Sequence, residues 1–298
     1  MKALKSLALV LGLGGVLFPE GAREAMAAPG GAADPTTGQS ARAMPRLPQV
    51  SLPAVRSGQV GVPAVVPRRV PGVLASDAPA GLRKDIFLRT VLPAVLRVNA
   101  NLRRDRRFVA RAAWLRAAGQ QLDATTHMRL TRLAERYRTD PDDLKTLRRR
   151  VDTLPPSLVL AQAAIESGWG RSRFAQSGNA LFGQRSYHCS DCGMVPRGYG
   201  EDPGFRVVQF KSVAGSVRAY LRNLNTHPAY AALRQARAAA RRAGRRLDSQ
   251  RLATFLTRYS ERGAAYVADV QATIAANDLR AFDTARLAWY ATPAGLWR

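Results

Sequence analysis

From about Arg83 onward, apolar residues recur three and four positions apart, and that period confines most of the chain to amphipathic helices. Phe87, Leu88, Val91, Leu92, Val95, Leu96 and Val98 set the pattern, which continues through residues 108–115 and 128–137. Asp140 and Pro141 have the character of a cap and a first helical residue for a helix over residues 141–151. Pro155 and Pro156 start another, because first-turn amides have no intrahelical partner, and Gly168 stops it after Ser167. Residues 184–211 break the period with glycines, prolines and short alternating pieces such as 205–210, which predicts a small lobe of loops and hairpins. Helical spacing resumes over 213–224, 230–243, 248–259 and 263–277. The expected fold class is therefore α+β, mainly helical, with one β-lobe inserted after the helix that begins at Pro156.

The region ahead of Arg83 has a different texture. Lys2 and Lys5 precede an apolar run over residues 7–18, and small residues follow at Ala25 and Ala27. That order predicts a secretory signal peptide over residues 1–27, with an uncleaved N-terminal anchor as the alternative. No later stretch is long and apolar enough to cross a bilayer, so the expected location is exported, periplasmic or secreted. Residues 28–80 are rich in Pro, Gly, Ala and Ser, and Pro48, Pro53, Pro63, Pro67 and Pro71 interrupt any regular element. They are expected to form a disordered linker that buries too little surface to offset its ordering entropy.

The formal net charge is +25, and only five of the 46 basic residues are lysines. Such an excess attracts polyanions. Export separates the chain from nucleic acid and leaves anionic envelope surfaces as partners. The two cysteines, Cys189 and Cys192, lie two residues apart within the expected β-lobe. In an exported protein they are expected to form a disulfide. A zinc site would need two further ligands from among His188, Asp191 and His227, so no metal is expected.

The most informative stretch is residues 158–183, LVLAQAAIESGWGRSRFAQSGNALFG. On a helix, Ala163, Gln162, Val159 and Leu158 are the neighbours of Glu166 at three, four, seven and eight residues back. One carboxylate thus stands at the end of a nearly uncharged helix. Burial among apolar groups and the negative end of the helix dipole both favour its protonated form. A carboxylic acid that stays protonated near neutrality suits proton donation to a leaving oxygen in glycoside cleavage. The competing reading is a core glutamate paired with Arg171 or Arg173.

The block AQAAIESGWG followed by SGNALFGQ resembles the glucosaminidase family of peptidoglycan hydrolases, in particular its Bax-type bacterial members. CGMVP, FRVVQFKS, the segment 216–220, HPAYAALR and YSERGAAYV continue the likeness in order, across roughly residues 85–285. The resemblance implies a lysozyme-like helical domain over residues 153–284, with the β-lobe after the catalytic helix. A helical extension over 81–152 would pack on it, and 285–298 would form a tail. It further implies peptidoglycan glycan strands as substrate, cut at the β-1,4 bond after N-acetylglucosamine, without a cofactor. Glu166 would be the catalytic acid.

Relatives place a second acid in the β-lobe and a tyrosine on a later helix. Those roles are assigned here to Glu201 and Tyr266, with Asp202 and Glu261 as other acids. Trp169, Asn179, Phe182 and Tyr259 are assigned to substrate binding. Two other functions stay open at this point: a lytic transglycosylase, which leaves an anhydro-sugar end, and a non-catalytic envelope glycan-binding protein.

Overall fold

The structure, a computed structural model, describes residues 50–187, 193–196 and 204–288. The expected signal peptide, residues 28–49 of the expected linker, and Cys189, Cys192, Glu201 and Asp202 lie outside the described residues.

The chain enters through a short helix, α1 (Leu52–Arg56), capped by Ser51, whose Oγ accepts from the Ala54 amide at 3.3 Å. A two-residue strand, β1 (Val62–Pro63), and a 3-10 turn over Gly72–Ala75 follow. Then come α2 (Ala80–Ala117), α3 (Ala124–Tyr137), α4 (Leu144–Arg150) and α5 (Pro156–Ser167). The helix α6 (Arg173–Gly178) leads into three strands, β2 (Arg185–Ser186), β3 (Gly193–Met194) and β4 (Arg206–Val208). The remainder is α7 (Val213–Thr226), α8 (Ala231–Arg242), α9 (Ser249–Ala253), α10 (Ala264–Ala276) and β5 (Leu287–Ala288). The result is a mainly helical α+β fold with a small β-lobe after α5, consistent with the lysozyme-like arrangement that the resemblance implies.

Side-chain caps fix most of the helix starts. Asp123, Asp143, Ser172, Ser212 and Asp248 each accept from an amide in the first turn of the following helix. The cap before α4 is Asp143 rather than Asp140, because Asp140 spends its carboxylate on the Asp142 amide in the preceding turn. The periodic stretches 87–98 and 108–115 belong to one 38-residue helix, α2, about 57 Å long. It contains Pro93, which removes one ladder hydrogen bond, yet burial of Ile86 through Leu96 along the core side outweighs that loss.

The helix α5 is the axle of the fold. It is buried from Pro156 through Ala164 and is packed by α2, α9, α10 and the 3-10 segment Leu279–Thr284. One hydrophobic core runs from Leu52 to Phe282, so the extension and the domain that carries the motif share it. The β-lobe keeps a small cluster of its own, Ala180, Met194 and Val207 with Phe174 against it. Its strands pair antiparallel in the order β2-β4-β3, with Arg185 and Met194 both facing Val207. Gly193 is required there, because a Cβ would lie 2.5 Å from the Val207 carbonyl oxygen.

Two expectations are corrected. The linker does not extend to residue 80: from Val50 the chain is bound to the core, with Leu52, Val55, Val62, Val70 and Leu74 all buried. These apolar residues are irregularly spaced, so no period reveals them, and their partners are distant in sequence. The expected tail begins too early, because β5 pairs in parallel with β1, Val62 facing Leu287. Leu74→Ala is therefore expected to lower stability by at least about 2 kcal/mol in urea unfolding. A tether residue would change it by less than about 0.5 kcal/mol.

Candidate active site

The segment 70–74 seats the end of α5. The helix closes with Gly168 at φ 57°, and Trp169 follows at φ 59°. Gly170 at φ 81° lies so close to this segment that a Cβ would sit 2.8 Å from Leu74 Cδ1. This run of three residues at positive φ swings the chain off the helix axis and leaves Glu166 in the last turn of α5, part-buried. Among the described residues no basic side chain pairs with Glu166. Arg173 instead donates to the Val195 carbonyl at 2.6 Å and stacks over Phe174.

Burial raises the Glu166 carboxyl from 4.5 to about 7, against the opposing effect of a hydrogen bond from Tyr266. That bond runs from the Tyr266 hydroxyl to Glu166 Oε1 at 2.7 Å. Tyr266 projects from α10, and its oxygen in turn accepts from Gln162 Nε2 at 2.8 Å. Gln162 Oε1 accepts from the Tyr220 hydroxyl on α7. A continuous line of buried polar groups therefore runs from α7 through α5 and α10 to the carboxyl.

Aromatic stacking holds this line in place. Tyr259 lies face to face with Tyr266 at 5.5 Å, and Phe182 with Tyr220 at 4.0 Å. The two pairs are tied by the Tyr259 hydroxyl, which donates to the Phe182 carbonyl at 3.1 Å. Burial pushes the Tyr220, Tyr259 and Tyr266 phenols well above their usual range, and the negative charge of Glu166 adds to it. Tyr230 is pushed up by the same two causes. All four remain protonated at physiological pH, and Tyr220, Tyr259 and Tyr266 serve as donors.

The structure brings Glu166 and Tyr266 into hydrogen-bond contact, and it packs the four residues assigned to substrate binding against protein neighbours. Phe182 is 1% exposed and Tyr259 6%, so both pack behind the site and present no platform. Asn179 is buried; its Oδ1 accepts from the Val70 amide at 3.0 Å and its Nδ2 donates to the Phe210 carbonyl at 2.9 Å. It clamps the N-terminal segment and the β-lobe to the end of α6. Trp169 meets Phe87 of α2 edge-on at 5.3 Å, with the Lys84 ammonium 5.0 Å over its ring. It pins the end of α5 to α2. Glu261 is exposed in the turn before α10.

Gln162 and Tyr220 escaped the sequence reading. The available signal was an amide one turn before Glu166 on a helix whose other polar side chains are two short serines, since a buried amide demands partners. Among the described residues no cluster of three or more His, Cys, Asp or Glu could hold a metal ion.

Residues 142–279 match the family model described as mannosyl-glycoprotein endo-beta-N-acetylglucosaminidase. The chain is 36% identical over 192 residues to Protein bax of Escherichia coli (strain K12), an alignment that covers 62% of this chain. The chain thereby spans 66% of the length of that relative. No solved structure matches the chain.

Proposed function

Since residues 142–279 form a domain of the glucosaminidase family of glycan hydrolases, we propose that the protein hydrolyses the glycan strands of peptidoglycan with Glu166 as general acid. The bond cut is the β-1,4 linkage after N-acetylglucosamine. The observation that carries this reading is the part-buried Glu166 carboxyl at the end of α5, raised to about 7 by burial while it accepts from Tyr266. Near neutrality such a group is protonated in much of the population, and it can give its proton away.

In the proposed reaction the bond between the anomeric carbon and the leaving oxygen breaks as Glu166 protonates that oxygen. The oxygen of water bonds to the anomeric carbon, and its proton passes to a second group. Glu201, on the segment between β3 and β4 and outside the described residues, is the proposed second carboxylate; the substrate's own N-acetyl group is the other route. Export to the periplasm or beyond places the protein with this substrate, and its arginine surface would favour the anionic envelope.

Digestion of purified peptidoglycan, with mass spectrometry of the released fragments, tests the reading. Fragments with reducing N-acetylglucosamine ends are the expected result. Anhydro ends would reassign the protein to the lytic transglycosylases, and binding without cleavage would make it a glycan-binding module.

A further inference from the structure

We infer that Gln162 and Tyr220 are positioning residues that fix the direction of the hydrogen-bond line, so that Tyr266 always donates to Glu166 and the acid's own proton stays on Oε2. The inference rests on Glu166 being the acid. Neither side chain touches a reacting atom; both act through Tyr266.

The geometry admits two proton arrangements along this line. In the observed one, Tyr220 donates to Gln162 Oε1, Gln162 Nε2 donates to Tyr266 at 2.8 Å, and Tyr266 donates to Glu166 Oε1 at 2.7 Å. In the reverse one, the amide is turned over, Tyr266 donates to Gln162, and protonated Glu166 donates to Tyr266. The reverse arrangement ties the acid proton to a phenol and withholds it from a substrate oxygen.

Tyr220 decides between them. It is fully buried, and among the described residues its hydroxyl has Gln162 Oε1 as its hydrogen-bond acceptor. Turning the amide over would leave a buried hydroxyl proton with no acceptor, which is costly. The amide is equally constrained, since Gln162 is fully buried on α5 between α7 and α10. With its nitrogen against the Tyr266 oxygen, that phenol can only donate onward. The titratable groups facing Glu166 among the described residues are Tyr220, Tyr230, Tyr259 and Tyr266, all held protonated by burial. The line is therefore free of competing charge.

Tyr220→Phe tests this, because it removes the terminal donor and keeps the ring that stacks on Phe182. The acid carbonyl stretch of Glu166 is isolated by infrared difference against Glu166→Gln at pH 5, on the full protein without substrate. Loss of donation from Tyr266 should move this band to higher wavenumber. The pH midpoint of the band should rise by up to about one unit, because a donor that favours the carboxylate is lost. In peptidoglycan digestion kcat should fall by up to about 10-fold with KM unchanged.

Tyr266→Phe alone should reproduce the infrared changes, and adding Tyr220→Phe to it should change nothing more. Gln162→Met, of similar length, removes the acceptor that the reverse arrangement needs, so Tyr266 should go on donating to Glu166 and the band should stay close to its wild-type position. An unchanged band and midpoint in Tyr220→Phe would overturn the inference, as would a Gln162→Met band shifted as far as that of Tyr266→Phe. So would a Tyr220 effect that persists in the Tyr266→Phe background. If the wild type cleaves no peptidoglycan, the proposed activity fails, while the infrared result still decides the direction of the line.

Discussion

Glu166→Gln should lower the release of soluble fragments from peptidoglycan by roughly 10²–10⁴-fold, the range for loss of a positioned proton donor. Glutamine keeps the size of the side chain and can still accept from Tyr266, so the site keeps its shape and loses only the transferable proton. The pH profile of the wild type should report the same group. Activity carried by the protonated carboxyl should fall as pH rises through about 7. A variant that retains more than a tenth of wild-type activity would remove Glu166 from the acid's role.

The same substitution has an opposite effect on stability, and the sign follows from linkage. The native carboxyl binds its proton more tightly than the unfolded one, about 7 against 4.5. Its protonated form therefore favours the native state below the unfolded value, and that advantage is lost as pH rises from 4.5 through about 7. Above that window the wild type carries a penalty of at most about 3 kcal/mol, a ceiling because part of the residue is open to solvent. Glu166→Gln should therefore melt at a higher temperature than wild type at pH 8 and at a similar one at pH 4. Equal melting at pH 8 would mean that the carboxyl is solvated well enough to ionise freely, and the case for a raised acid would go with it.

The legible parts of this protein are those where local chemistry and final environment agree. Pro156 and Gly168 bound α5 as read from the sequence, because a helix start and a left-handed stop need no distant partner. Glu166 stood out because its helix is almost uncharged, and that helix is the buried one. What escaped depends on distance in sequence. The packing of Val70 and Leu74 relies on Asn179 and Gly170, roughly a hundred residues away. The aromatic residues were visible as residue types, but whether Phe182 and Tyr259 face a sugar or one another's neighbours is set by three helices meeting, which periodicity does not encode.

Charge misled most where it was buried, and Asp152 carries the second large effect. Arginine is rarely buried without a partner, yet Arg237 of α8 is fully buried. Its Nε lies 3.5 Å from Asp152 Oδ2, with Arg241 at 3.2 Å and Arg106 of α2 at 3.4 Å from the same carboxylate. Asp152 is 2% exposed, in the link between α4 and α5, and its carboxylate also accepts from the Thr153 amide at 2.8 Å. The guanidinium of Arg237 has further partners in the Arg149 and Thr153 carbonyls, but those supply no counter-charge.

Asp152→Ala should therefore cost about 3–5 kcal/mol, the range for removing one partner of a buried ion pair. The loss comes from an uncompensated arginine in the interior rather than from the worth of the pair itself. For that reason Asp152→Ala combined with Arg237→Met should recover a large part of the deficit, since an apolar side chain of similar length leaves no orphan charge. Urea unfolding of the two single variants and the double variant measures this directly. A loss below about 1 kcal/mol for Asp152→Ala would show that the backbone carbonyls satisfy Arg237 on their own. A double variant no more stable than Asp152→Ala would place the cost in the Thr153 and Arg241 contacts instead, and α8 would be held to the link between α4 and α5 by hydrogen bonds rather than by charge.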